Sequence, residues 1–124
     1  MLVDFLHITH TCMGAEYQNP RFTTHDHNFP CAVCYTSQRA SKLIIPARIT
    51  CPSLWTEEYE GYLMASYYES KSNVTYECVD KNAETSYAFT NGALFYHVVA
   101  TCGTGLPCAP YVTDKVITCV VCTR

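Results

Sequence analysis

Four cysteines of the chain stand in two stretches with the same spacing and a similar composition. Cys31 and Cys34 lie in the sequence PCAVCYT, and Cys119 and Cys122 lie in TCVVCT near the end of the chain. Cysteines repeated in this way can form disulfides between neighbouring strands or hold a zinc ion as four thiolates. The choice depends on whether the protein meets an oxidising environment.

The chain is rich in cysteine for its size. Nine cysteines occur in 124 residues, together with ten tyrosines. This density approaches that of small extracellular domains, whose disulfides persist because nothing reduces them there. The N-glycosylation sequon at Asn73 points in the same direction, since it is used only on a secretory route. We therefore predict a secreted, extracellular protein, and zinc is the second interpretation of the four cysteines.

The charge and hydropathy of the chain argue against two classes of partner. The net charge is −3, and the lysines and arginines are scattered singly, so we expect no nucleic-acid binding. No apolar run reaches the ~20 residues that a membrane helix needs, so we expect no membrane insertion. Residues 1–12 lack the basic and apolar regions of a signal peptide, which predicts a mature form or a fragment.

A short polar cluster of His25, Asp26 and His27 precedes the first pair of cysteines. Imidazole and carboxylate groups can hydrogen-bond to sugar hydroxyls, so these three residues are candidate ligand-binding residues. The alternative is a solvated loop in which Asp26 makes a local turn hydrogen bond. Two histidines and an aspartate do not define a zinc site without a further spaced ligand, so we assign no metal.

Three aromatic residues, Trp55, Tyr59 and Tyr62, form a second candidate site. Aromatic rings can stack on the C–H faces of sugars, and the methyl of an acetamido group packs on them too. The alternative is that these rings belong to the hydrophobic core, beside a disulfide.

Motifs for catalysis are missing from the sequence. Glu57, Glu58 and Glu60 form an acidic cluster, but a glycosidase needs two opposed carboxylates about 5–10 Å apart, which consecutive acids do not readily provide. There is no Gly-x-Ser-x-Gly, no phosphate-binding loop and no zinc-protease motif. We predict a non-enzyme that needs no cofactor.

Short runs of aromatic and β-branched residues predict the strands that would position these side chains. The runs are separated by turn residues and lack helical periodicity; they cover residues 31–36, 42–50 with an interruption at Pro46, 62–68, 74–79, 93–101 and 116–122. Residues 57–61 are predicted as a short helical turn or a loop, and residues 1–13 as an N-terminal arm or an edge strand. We predict one mainly β domain over residues 1–124, a small disulfide-stapled antiparallel structure of sandwich or barrel-like form with long loops.

The positions of the cysteines suggest how they pair. Cys102 and Cys108 enclose a short loop whose two glycines supply the φ freedom that a small ring needs. The cysteines at 51 and 78 flank a predicted hairpin, and the two repeated stretches could lie side by side as antiparallel strands. Cys12 is then free or bonds a second chain. The predicted disulfides are Cys102–Cys108, Cys51–Cys78, Cys31–Cys122 and Cys34–Cys119.

Six longer motifs occur between about residue 14 and the end of the chain: DHNFPCAVC at 26–34, IPAR at 45–48, TCP with Trp55 at 50–55, EYEGYLM at 58–64, NGALFYH at 91–97 and TCVVCT at 118–123. Together they resemble the globular C-terminal domain of the short-chain, spongin-type collagens of sponges and cnidarians, which implies an extracellular protein. The chain differs from that family in having no Gly-X-Y repeat, so it cannot form a triple helix. It also lacks the N-terminal half that usually precedes the domain.

Free-standing sponge proteins of this size are often lectins, so the resemblance permits a sugar-binding function, although it carries over no binding residues. We predict a lectin that binds glycans, with N-acetylated hexosamines preferred because aromatic surface suits an acetamido methyl. The alternative is a structural extracellular-matrix module that self-associates through a Tyr-rich surface. A homo-oligomer is expected, since some of the ten tyrosines must be exposed.

Overall fold

The secondary structure is entirely β in the part of the chain that the structure describes. The structure is a computed structural model, and it describes residues 9–10, 15–19, 23–67, 69, 75–86 and 92–124. The predicted fold class, a mainly β domain stapled by disulfides, is confirmed. The strands are β1 (Thr9–His10), β2 (Ala15–Tyr17), β3 (Cys31–Ala32), β4 (Lys42–Pro46), β5 (Thr56–Ala65), β6 (Glu77–Asp80), β7 (Ala93–His97) and β8 (Thr118–Thr123).

One six-stranded sheet is organised around β5. The strand order is β2-β7-β5-β8-β4, and β6 pairs with β5 outside this path. The first part of β5 pairs with β8 and its end pairs with β7, whereas β6 pairs with residues 61–64. All of these pairings are antiparallel except β2 with β7, which is parallel. β1 and β3 form a separate two-stranded sheet.

The C-terminal strand β8 is the most buried element of the sheet. It lies between β4 and β5, and the side chains of Cys119, Val120 and Cys122 are 0% exposed. A strand that is covered on both faces reads as a continuous apolar run rather than an alternating one, which is the pattern of TCVVCT. Leu63 and Cys78 pack with β8 in a buried cluster on one face of the sheet.

Two disulfides attach β8 to earlier parts of the chain. Cys119 bonds Cys78 of β6, and Cys122 bonds Cys51, which precedes β5. Residues three apart on a strand point to opposite faces, so one disulfide leaves β8 from each side of the sheet. The sheet is therefore fastened covalently at its most buried strand.

Three of the predicted disulfides are wrong: Cys31–Cys122, Cys34–Cys119 and Cys51–Cys78. The prediction placed the two repeated stretches side by side, but β8 lies between β4 and β5, whereas β3 pairs with β1. Cys34 is a free, exposed thiol. Zinc bound by both stretches is also excluded, because two of the four required thiolates are oxidised.

The small loop predicted between Cys102 and Cys108 is closed by a disulfide. Gly103 and Gly105 adopt φ values of 101° and 95° within it, a region that other residues rarely enter. The Gly103 amide donates to the Leu106 carbonyl at 2.8 Å. The expected need for glycine in this ring is confirmed.

The sheet curls sharply around Gly61. This residue pairs with Asp80 of β6 along one edge of β5 and with Cys119 of β8 along the other. The Cα atoms of Cys78 and Cys119 are 5.8 Å apart, whereas strands on either side of a third strand in a flat sheet would be about 9.5 Å apart. A Cβ atom at position 61 would overlap the Val79 carbonyl, so the close approach requires glycine here.

Several predicted elements differ from the observed ones in extent. Residues 57–61, predicted as a helical turn or a loop, belong to β5, because pairing along both edges outweighs the low strand propensity of Glu and Gly. The strand predicted at residues 31–36 is shorter, since β3 ends at Ala32. β4 ends at Pro46, where the interruption was predicted, and Ala47 adopts a φ of 60°.

Part of the predicted N-terminal segment, residues 1–13, is strand β1, which pairs with β3. The remainder of that segment, including Cys12, and the sequon residue Asn73 lie outside the described residues. Their predicted roles stay predictions.

Candidate functional site

A small cleft lies where β5, β6 and β7 meet the turn at residues 23–26. Its volume is about 50 Å³. Apolar groups of Met64, Val79 and Ala83 line it together with the rings of two tyrosines, Tyr17 and Tyr62. Polar groups come from Thr24, Asp80, Lys81 and His97.

The paired rings of Tyr62 and His97 form one wall of the cleft. Their centroids are 5.6 Å apart, and the planes are inclined by 64°, an edge-to-face contact. Antiparallel pairing of β5 with β7 produces this contact, because Met64 lies opposite His97 and Tyr62 projects from the same face as Met64. Met64 itself is 1% exposed and also lines the cleft.

His97 is held as a neutral ring. The Asn19 side-chain amide donates to His97 Nδ1 at 2.6 Å, which leaves the ring proton on Nε2. Partial burial lowers the pKa of His97 below its usual value of 6.5, because the charged form loses hydration. The cleft therefore contains a neutral imidazole at physiological pH.

Tyr17 also lines the cleft. Its side chain is buried, and its hydroxyl donates to the Glu84 carbonyl at 3.4 Å. Burial, assisted by the negative charge of Asp80, raises the pKa of Tyr17 to about 12. The Tyr17 ring packs on Phe29, which in turn contacts Phe95 at 5.4 Å between centroids. This aromatic stack fixes the wall that Tyr17 provides.

Asp80 and Lys81 form the polar rim at the end of β6. Asp80 Oδ1 accepts a hydrogen bond from the Asn82 amide at 2.8 Å, which holds the turn after the strand. Lys81 forms an ion pair with Glu60 of β5. The positive charge of Lys81 at the rim is thus balanced by a neighbouring carboxylate.

The turn that contains His25, Asp26 and His27 is held against β2 by local hydrogen bonds. Asp26 adopts a φ of 60°. Its Oδ1 accepts a hydrogen bond from the side-chain amide of Gln18, with 2.6 Å between Nε2 and Oδ1. His25 Nε2 lies 3.4 Å from Asp26 Oδ2, and His27 Nδ1 lies 2.9 Å from the His25 carbonyl. Thr24 is the residue of this turn that lines the cleft. These contacts match the alternative of local turn bonding for Asp26.

The structure does not bring Trp55, Tyr59 and Tyr62 together as one platform. Tyr59 and Tyr62 are three residues apart on β5, so their side chains point to opposite faces. Tyr59 packs against the buried cluster around Leu63 and donates to the Cys78 carbonyl at 2.8 Å. Trp55 is half-buried in the turn before β5. Of the three, Tyr62 is the residue that lines the cleft.

Burial also raises the pKa of Tyr59, and the nearby ionisable groups of Glu77, Asp80 and Cys34 act in the same direction. A tyrosine that is neutral, hydrogen-bonded and packed against the core has a structural role. The alternative of core packing is therefore the better description of Tyr59.

Two members of the acidic cluster have partners on neighbouring elements. Glu58 accepts hydrogen bonds from Arg39, at 2.8 Å, and from the Thr123 hydroxyl. Glu60 is paired with Lys81. Engaged carboxylates of this kind fasten neighbouring parts of the chain to one another.

Sequence reasoning missed most of the cleft, including Tyr17, Thr24, Asp80, Lys81 and His97. The sequence contained one signal for His97. It lies two residues after Phe95 on the strand predicted at residues 93–101, so the two side chains point to the same face of the sheet. The other residues come from segments that are distant in sequence, and no spacing pattern joins them.

Comparison with protein-family models, with curated proteins and with solved structures gave no match. The described residues include no helix with the length and apolar character needed to cross a bilayer. Within the same residues, His, Cys, Asp and Glu side chains do not assemble into a group of three or more that could hold a metal ion. The three disulfides of the described chain are compatible with an extracellular protein.

Proposed function

We propose that the protein is a secreted, non-catalytic carbohydrate-binding protein whose ligand contacts the cleft beside Tyr62 and His97. The observation that carries the proposal is the combination of aromatic rings with polar groups around one depression. Sugars present both C–H faces, which pack on rings, and hydroxyls, which need hydrogen-bonding partners.

The polar groups of the cleft suit sugar hydroxyls. Thr24 offers a hydroxyl, Asp80 offers carboxylate oxygens, and Lys81 offers N–H donors. The neutral state of His97 allows its ring to take part without introducing a charge. These features favour an uncharged, hydroxyl-rich ligand over an ionic one.

Two further observations support a binding protein over an enzyme that acts on sugars. The carboxylates of Glu58 and Glu60 are engaged by Arg39, Thr123 and Lys81. The cleft itself contains one carboxylate, that of Asp80, among its lining residues. Glycoside hydrolysis through two protein carboxylates needs a second one opposite the first. We accordingly propose binding without turnover and without a cofactor.

The proposal of secretion rests on the disulfides, which need an oxidising compartment to form and persist. The resemblance to the extracellular domain of short-chain collagens agrees with it.

A second candidate function is that of a matrix module that self-associates. It is favoured by large apolar side chains that lie on the surface, among them Val33 (79% exposed), Tyr35 (76%) and Leu54 (78%). The ring pair of Tyr67 and Tyr96, with centroids 5.2 Å apart, adds partly exposed aromatic surface. Such surfaces often become buried between subunits.

Isothermal titration calorimetry with monosaccharides, guided by a glycan array, tests the proposal. We expect measurable binding to the wild-type protein and a loss of about tenfold or more in Tyr62→Leu, which removes the ring but keeps an apolar side chain. Tyr76→Leu is the matched control, since Tyr76 is 56% exposed and does not line the cleft. Trp55→Ala should also retain binding.

The two candidate functions give opposite results in this experiment. Failure of the wild-type protein to bind any glycan, together with oligomers whose size increases with concentration in analytical ultracentrifugation, would replace the first candidate with the second. Equal loss of affinity in Tyr62→Leu and Tyr76→Leu would remove the cleft from the proposal.

A further inference from the structure

We propose that the cleft is a subsite for the acetamido group of an N-acetylated hexosamine. This inference rests on the proposed glycan-binding function and specifies which substituent of the sugar enters the cleft. It assigns the methyl group to the apolar lining and the amide to the polar rim.

The size of the cleft limits what can enter it. A volume of about 50 Å³ has room for a few water-sized groups, since a cavity needs about 10–15 Å³ by this measure to hold one water. Pockets that enclose a whole small molecule are larger, on the order of 300–1,000 Å³. The cleft can therefore accept one substituent, while the sugar ring stays outside against Tyr62 and His97.

The lining of the cleft combines apolar side chains with groups that can hydrogen-bond. The apolar part comes from Met64, which is 1% exposed, and from Val79 and Ala83. Thr24 and Asp80 are lining residues with groups that can hydrogen-bond. An acetamido group offers the matching combination, a methyl together with an N–H and a C=O.

Other substituents of common sugars fit this lining less well. A hydroxymethyl group has no methyl for the apolar lining, and a hydroxyl placed against Met64 or Val79 without a hydrogen bond is unfavourable. A carboxylate would need a cation, but Lys81 is already paired with Glu60, and Asp80 would repel a second negative charge.

Paired sugars that differ only at the 2-position test the subsite. We expect N-acetylglucosamine or N-acetylgalactosamine to bind at least about fourfold more tightly than glucose or galactose, because the methyl group becomes buried. The 2-amino sugars without the acetyl group should not gain this advantage. Calorimetry or competition on a glycan array measures the ratio.

Ala83→Val tests the location, since the two added methyl groups occupy space in the cleft, and Ala40→Val at an exposed position is the matched control. We expect Ala83→Val to abolish the preference for the acetylated sugar, measured as the ratio of the affinities for the acetylated and the parent hexose, whereas Ala40→Val should keep this ratio. Circular dichroism shows whether each variant is folded. Ala83→Ser, which adds one hydroxyl to the lining, is a second and milder test. In this variant the preference for the acetylated sugar should fall partially.

The possible outcomes separate this inference from the proposed function. Binding of acetylated and parent sugars with equal affinity would overturn the subsite but leave the carbohydrate-binding function standing. Absence of binding to every sugar would overturn both. A preference for acetylated sugars that persists in folded Ala83→Val and Ala83→Ser would place the acetamido group elsewhere on the protein.

Discussion

The surroundings of β8 and the cleft beside β7 are held together in different ways. Around β8, the side chains of Cys119 and Cys122 are fully buried and disulfide-bonded, and Val120 is fully buried as well. Around the cleft, the contacts are hydrogen bonds and ring contacts, such as those that His97 makes with Asn19 and Tyr62. One region is covalent and apolar, and the other is polar and aromatic.

This difference suggests a division of roles within one sheet. Disulfides restrict the unfolded chain and so stabilise a small domain with a modest core. Because the disulfides and the buried strand β8 stabilise the domain, the residues at the other end of β5 do not all have to be apolar core residues. They can present polar groups to solvent instead. We infer that the β8 region is the scaffold and that the cleft is the part available for binding.

The largest expected effect concerns the scaffold at Gly61. We expect Gly61→Ala to lower the free energy of unfolding by about 5 kcal/mol or more, because the new Cβ would overlap the Val79 carbonyl, which is backbone and cannot turn away. Urea denaturation followed by fluorescence measures the change. Gly105→Ala is the control. The φ of 95° at position 105 strains an alanine there, but the added Cβ would meet nothing within 4 Å, so we expect a smaller loss of stability. Equal and mild effects of the two substitutions would contradict the tight curl at Gly61.

The disulfides provide the next largest effect. They differ in the length of chain they enclose, with a separation of 41 residues for Cys78–Cys119 and 6 for Cys102–Cys108. We expect the double substitution Cys78→Ala/Cys119→Ala to cost about 4 kcal/mol of stability, against about 2 kcal/mol for Cys102→Ala/Cys108→Ala, because a longer loop loses more entropy in the unfolded chain. Thermal unfolding of both variants measures the difference. A larger loss from the small loop would show that β8 is not where stability is concentrated.

The smallest expected effect is a dependence of stability on pH that comes from the cleft. Burial lowers the pKa of His97 in the folded protein, so the unfolded chain takes up a proton first as the pH falls below about 6.5. Stability should therefore decrease on acidification through this range, and His97→Gln should make the decrease shallower. Urea midpoints at pH 7.5, 6.5 and 5.5 measure this slope, with His25→Gln as the control. Identical slopes in the wild-type protein and His97→Gln would show that burial does not keep the ring neutral.

The two regions also differed in how far the sequence predicted them. The apolar run of TCVVCT predicted a strand at residues 116–122, and β8 is found at Thr118–Thr123. The partners of its cysteines were not predictable, because they depend on which strands lie beside β8. The matching spacing of the two cysteine stretches suggested a pairing that the strand order does not allow.

The cleft was harder to predict for a related reason. Tyr62 and His97 are 35 positions apart and meet because β5 and β7 pair through Met64 and His97. A sequence shows that each ring lies on a strand, but the register between the strands comes from the whole sheet. The opposite orientation of Tyr59 and Tyr62 would have followed from their spacing once residues 57–61 were recognised as strand.

The central claim is that sugar binding takes place at the cleft and leaves the scaffold unchanged. A two-dimensional ¹H–¹⁵N NMR titration with N-acetylglucosamine tests it directly, because every backbone amide reports separately. The account predicts saturable shift changes at the amides of Tyr62, Lys81 and His97 and none at those of Val120 and Val121. Changes concentrated on β8, or no saturable change anywhere for this or any other hexose, would contradict it.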